Sequence, residues 1–113
     1  MVLGIEYVFR EFESIASSID SFLSENYFQT FRKELNDSYS ILEQNLTSKE
    51  LGKIQWTFEK FEQTYGSFIE QPIDKRNIDS LRESFETYVL SVRKLFEELR
   101  DMEDISSIEG EFN

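Results

Sequence analysis

The sequence predicts an all-α fold: an antiparallel (up-down-up-down) four-helix bundle with a short, acidic, flexible C-terminal tail. Three observations predict it. Apolar residues recur at alternating steps of three and four along four stretches, the spacing that lines one face of a helix. Strand-like alternation fits none of these stretches for more than a few residues. The four stripes are also out of phase, so no single rod could bury them all and the chain has to turn between them. With 113 residues, 39% of them apolar and including 11 Phe, 5 Tyr and 1 Trp, the chain suffices for one core and is too aromatic to stay disordered.

The first helix, expected over about 3–23, carries Ile5, Val8, Phe12, Ile15, Ile19 and Phe22, with Phe9, Ala16 and Leu23 widening the stripe. Continuing its phase meets Asn26, Gln29 and Lys33, all polar, so the buried face stops there. Neither Gly nor Pro marks this first turn, which leaves one continuous kinked helix as the alternative. The second helix, about 26–45, holds Phe28, Phe31, Leu35, Tyr39, Leu42 and Leu46, with Ser24 and Asn26 as cap candidates. The third, about 48–70, opens on Thr47 and Glu50 in capping-box spacing and carries Leu51, Ile54, Phe58, Phe61, Tyr65 and Phe68. Pro72 ends it, and Gly52 and Gly66 offer a close approach to a neighbour. The fourth, about 75–103, runs from Ile78 through Leu81, Phe85, Tyr88, Val92, Leu95 and Leu99 to Met102, with Asp74 or Asn77 as its cap. It outlasts the others by about two turns, so its far end is free to project or to pair with a second chain. Residues 104–113 form the acidic tail, where Gly110 discourages a stable helix.

Composition removes several classes of function. With no Cys and no His, there are no disulfides, no thiolate zinc sites and no Cys or Ser-His nucleophiles. A net charge of -11 opposes direct binding of nucleic acid and of anionic membranes, and favours a partner with a basic surface. No apolar run reaches the roughly 18 residues a membrane helix needs, and Met1 to Phe9 lacks the basic flank of a signal peptide, so a cytoplasmic protein is expected. Ferritin-like di-iron sites need Glu-x-x-His pairs, which the chain cannot supply.

Glu83-x-x-Glu86 and Glu98-x-x-Asp101 have the spacing with which all-α nucleotide pyrophosphohydrolases hold magnesium, the nearest the chain comes to an enzyme. Both pairs lie on one helix and face away from its stripe, whereas an ion needs carboxylates that converge on it. These acids read instead as a solvated face, with Arg82–Glu86, Arg93–Glu97 and Lys94–Glu98 as helical ion pairs. No Gly-rich loop opens a helix after a strand, so phosphate cradling is absent too. The sequence thus predicts no catalysis, no cofactor and no metal.

What remains is a set of apolar residues that the stripes cannot bury. Trp56 sits two positions from both Ile54 and Phe58, on the far side of the third helix, and Leu90 is outward by the same argument. Tyr7 and Leu3 are similar, and Ile105, Ile108 and Phe112 punctuate the acidic tail. Trp is strongly enriched at binding hot spots. The expectation is a non-enzymatic protein–protein interaction module, an acidic helical binder that inhibits, chaperones or adapts a partner. One alternative is a nucleic-acid mimic that blocks a DNA- or RNA-binding protein, as a phage-type defence inhibitor would. Against about one phosphate per 1.7 Å of duplex, however, 23 acids diluted by 12 cations imitate thinly. The other alternative is a structural homodimer, with Trp56 and the long fourth helix in the seam.

Overall fold

Each apolar run forms helix where its caps allow. A computed structural model describes residues 4–27 and 31–112, with side chains through Met102, and every regular element among them is helical. The order is α1 (Ile5–Ser24), α2 (Arg32–Asn45), α3 (Ser48–Gly52), α4 (Gln55–Ile69) and α5 (Lys75–Phe112). No described helix is long and apolar enough to cross a membrane.

The ends of the helices correct several boundaries. Asn26, expected to cap the second helix, terminates the first instead: it takes a left-handed φ of 62°. The Asn26 N–H donates to the Leu23 carbonyl at 3.3 Å and the Tyr27 N–H to the Phe22 carbonyl at 2.9 Å, the paired bonds of a Schellman close. Asn is one of the few residues other than Gly that tolerates this conformation, so the chain stops the helix here rather than kinking it. α2 therefore begins at Arg32, with Phe31 rather than a capping side chain before it. At Thr47 the capping box forms as expected: the Glu50 N–H donates to Thr47 Oγ1 at 3.2 Å, and the Thr47 N–H to Glu50 Oε1 at 2.8 Å. Thr47→Ala is expected to cost about 1 kcal/mol of stability, read as a lower midpoint in urea unfolding.

The third expected helix is two. After Gly52 the N–H groups of Lys53 and Ile54 reach back only three residues, to Glu50 and Leu51, and the helical ladder restarts at Ile54. A Cβ placed on Gly52 or Gly66 would meet nothing within 4 Å, so neither glycine serves a close approach; Gly52 marks the break. Asp74 caps α5, accepting from the Asn77 N–H at 2.8 Å. α5 then continues to Phe112, so the helix does not stop at residue 103, and Gly110 is carried within it. Met102, assigned by its phase to the buried stripe, is 63% exposed. Opposite it α1 has run out, since Arg100 already pairs with Glu6 in the second residue of that helix.

Apart from Phe28, which lies outside the described residues, the remaining stripes form one core, with Phe12, Phe31, Phe61, Leu81, Tyr88 and Val92 among its wholly enclosed residues. Its seams are of two kinds. The backbones of α1 and α2 approach closely, as do those of α4 and α5, whereas α1 lies further from α5, and α2 meets α4 mainly through side chains. Small hydroxyl residues serve the close approach of α4 and α5: Thr57 meets Ser91 at 2.8 Å between oxygens, and Ser84 of α5 is buried. Rings fill the wider seams. Tyr39 stacks on Phe58 at 4.2 Å, Phe31 meets Tyr65 at 4.5 Å, Phe9 meets Phe96 at 5.1 Å, and Phe12 meets Tyr88 edge-on at 5.6 Å. Tyr88 also reaches α2, its hydroxyl 3.0 Å from Ser38 Oγ, which in turn donates to the Leu35 carbonyl at 2.7 Å. Ser38 has only one proton, so the Tyr88 hydroxyl is the donor of that pair.

Candidate functional site

The residues nominated for contact fall into two groups. Trp56, Leu90 and Tyr7 are on the surface, 59%, 60% and 52% exposed. Leu3 and the side chains of Ile105, Ile108 and Phe112 lie outside the described residues. The backbone of those last three continues α5.

The break after Gly52 precedes Ile54 and leaves the phase of Trp56 against Ile54 and Phe58 unchanged. From Ile54 the helix turns Ile54, Thr57 and Phe58 into the core and leaves Trp56 between them on the outer face. Thr57 and Ser91 meet across the α4–α5 seam, and Trp56 and Leu90 are their immediate chain neighbours, so both stand at one level of this helix pair. Thr57 Oγ1 also lies 2.6 Å from the Ile54 carbonyl and Ser91 Oγ 2.7 Å from the Tyr88 carbonyl. Each hydroxyl has one proton, so one of them donates across the seam while the other satisfies its own helix. That hydrogen bond fixes the level at which α4 and α5 present their outward residues.

Leu90 also faces a second feature. Between α1 and α5 runs an open groove of about 530 Å³. Along most of this seam large side chains and arginines bridge the helices: Arg100 Nε to Glu6 Oε1 at 2.7 Å, Phe9 against Phe96, and Arg93 to both carboxylate oxygens of Glu13 at 2.7 and 3.0 Å. Further along, Arg82 donates to the Leu23 carbonyl at 3.0 Å, at the close of α1. Between the Arg93 and Arg82 bridges α1 sets the small residues Ala16 and Ser17 toward α5, with Asp20 beyond them, and the gap over Phe85, Val89 and Leu90 stays open. Asp20 and Glu86 stand exposed on its rim, and among the described residues neither has an ion-pair partner. The hydrogen bonds that it donates to Glu13 hold the Arg93 guanidinium above its ordinary pKa, so its charge is consumed within that pair.

These bridges replace the expected helical ion pairs. Arg82 reaches Leu23 rather than Glu86, Arg93 reaches Glu13 rather than Glu97, and Glu98 takes Lys53 at 3.3 Å rather than Lys94. A short arginine-to-carboxylate fork across two helices offers better geometry than a floppy pair along one. Glu83, Glu86, Glu98 and Asp101 are all exposed, and among the described residues no three acidic side chains gather as metal ligands would. Sequence reasoning missed the groove because seeing it requires the register that sets Ala16 opposite Val89; the only local sign was the Ala16–Ser17 pair of small residues in a stripe of large ones.

Compared with known proteins, the chain matches no family model, no curated protein and no solved structure.

Proposed function

We propose that this protein is a non-enzymatic protein-interaction module, an acidic up-down-up-down four-helix bundle that binds and thereby inhibits, chaperones or adapts a partner with a basic surface. The observation that carries the reading is the placement of Trp56 and Leu90, each about 60% exposed, at one level of the α4–α5 pair in a chain of net charge -11. A large apolar side chain gains little by standing in water, and a Trp set on a rigid helix pair loses little entropy when covered. The surrounding acids would steer a basic partner and make the association weaken as salt is added. The bundle reading draws support from the pairwise contacts: residues rising along α1 meet residues falling along α5, and residues rising along α2 meet residues falling along α4.

Trp56→Ala is the test. The variant is expected to keep its Tm to within a degree or two, because an exposed residue contributes roughly 0.5 kcal/mol or less to stability. It is expected to weaken the complex with whatever partner the wild-type protein retains from its native cell by about 30-fold, the equivalent of a hot spot of roughly 2 kcal/mol. A complex of unchanged affinity would overturn the assignment of Trp56. A wild-type chain that retains nothing would overturn the reading as a whole.

A further inference from the structure

We propose that the α1–α5 groove is the seat for a basic amphipathic helix of the partner protein, which inserts apolar side chains over Ala16, Phe85 and Val89 and sets Lys or Arg against Asp20 and Glu86. The inference rests on the reading of this chain as a protein binder and names the kind of segment it takes.

Three observations select this occupant. The first is shape. The groove is closed at one end by the Arg93–Glu13 fork and at the other by Arg82 on the Leu23 carbonyl. From Arg82 to Arg93 along α5 is about 16 Å, whereas anchors at i, i+4 and i+7 of a docked helix span about 10 Å, so three fit between the two bridges. The second is chemistry of the floor. Ala16, Phe85, Val89 and Leu90 are apolar, and the volume of about 530 Å³ lies within the range of ligand-binding clefts. The third is charge. Asp20 and Glu86 are exposed and unpaired among the described residues, while the one cation lining the groove is bound to Glu13. A second copy of this chain would bring its own charge of -11 against that rim, and an anion or nucleic acid would meet the same repulsion. A cationic helix is the occupant for which the rim is attractive and the floor is useful.

The experiment uses the full chain and a defined probe: a synthetic Leu/Lys peptide about 15 residues long, long enough for a helix, with Leu at i, i+3, i+4 and i+7. Its control carries Glu in place of every Lys. Binding is followed by calorimetry and by backbone NMR shifts. The Lys peptide is expected to bind with shifts centred on residues 16–20 of α1 and 85–90 of α5, and the Glu peptide not to bind. Ser17→Trp, which fills the groove from an exposed position, is expected to abolish binding. Asp20→Lys with Glu86→Lys is expected to weaken it by about tenfold or more at low salt. The matched charge change elsewhere, Glu62→Lys with Glu70→Lys, is expected to weaken it by less than about threefold. Circular dichroism checks each fold, and the charge reversal carries the test should Ser17→Trp not fold.

Failure of the Lys peptide to bind, equal binding of the Glu peptide, shifts centred on Trp56 and its neighbours in α4, or equal loss in both charge-reversal pairs would overturn the proposal. So would sedimentation showing a dimer that Ser17→Trp takes apart, since a second copy would then own the groove. If the groove variants keep the native partner while Trp56→Ala loses it, this inference falls and the proposed function stands. If the peptide behaves as expected and Trp56→Ala changes nothing, the groove stands without the Trp56 face.

Discussion

Phe61→Ala is expected to destabilise the protein by about 3–5 kcal/mol, enough to bring a domain of this size close to unfolding at 37 °C. Phe61 is wholly enclosed and holds three contacts at once: its ring lies 6.3 Å from Phe31, which immediately precedes α2, 5.4 Å from Phe85 of α5 and 5.9 Å from Tyr88 of α5. Removing it opens a void where helices from both halves of the molecule meet, and the neighbouring rings are themselves pinned by other rings and cannot all collapse inward. Thermal unfolding followed by circular dichroism should show Tm lower by roughly 15 °C or more. Phe61→Leu, which keeps most of the volume, should cost about 1–1.5 kcal/mol. Equal losses for the two variants would mean that ring shape, not filled volume, sets the stability of the core.

The second large effect is alkaline. Burial pushes the Tyr88 phenol well above the ordinary tyrosine value, and burial also raises Tyr39 and Tyr65, Tyr39 further through the neighbouring Glu43 and Glu59. Above pH 10 the unfolded chain loses these protons while the folded chain keeps them, so the unfolded state binds fewer protons and stability falls as pH rises. The contribution is fully present below pH 10 and drains away above it, at up to about 1.4 kcal/mol per pH unit for a tyrosine as enclosed as Tyr88. Chemical denaturation at pH 8 and at pH 11.5 should show this loss in the wild type. Tyr88→Phe should cost about 1 kcal/mol at pH 8, through the lost bond to Ser38, and reduce the further loss at pH 11.5. An identical alkaline loss in Tyr88→Phe would place the titration elsewhere.

How far the sequence reaches can be judged from particular residues. The stripes of α1, α4 and α5 are legible because large apolar residues at helical spacing have one physical use, and Val8, Phe12, Ile19, Phe61, Tyr65, Leu81 and Val92 all lie in the core. The capping box at Thr47 is legible for the same reason: its two hydrogen bonds are local. Ser38, Thr57 and Ser84 are buried too, and periodicity misses them because a hydroxyl reads as polar until its partner is known. For Ser38 that partner, Tyr88, is 50 residues away. Asn26, by sequence a candidate helix start, is a helix end; polar residues that cap one helix also tolerate the left-handed turn that closes another. Of the candidate site, the outward placement of Trp56 and Leu90 follows from phase alone. Their shared level follows only from the Thr57–Ser91 bond, and the groove only from the register of α1 on α5.

Between its halves this molecule is spaced by rings, and within each half it is spaced by backbone. Helix ladders and close hydroxyl contacts resist change in the α4–α5 pair, because altering them would break hydrogen bonds. The gap between α1 and α5 is kept by rings and by two arginine–carboxylate pairs that stand partly exposed at the surface. Salt therefore bears on one flank of α5 and not on the other: screening weakens the surface pairs toward α1 and leaves the hydroxyl contact toward α4 untouched. The open stretch at Ala16 lies on the salt-sensitive flank.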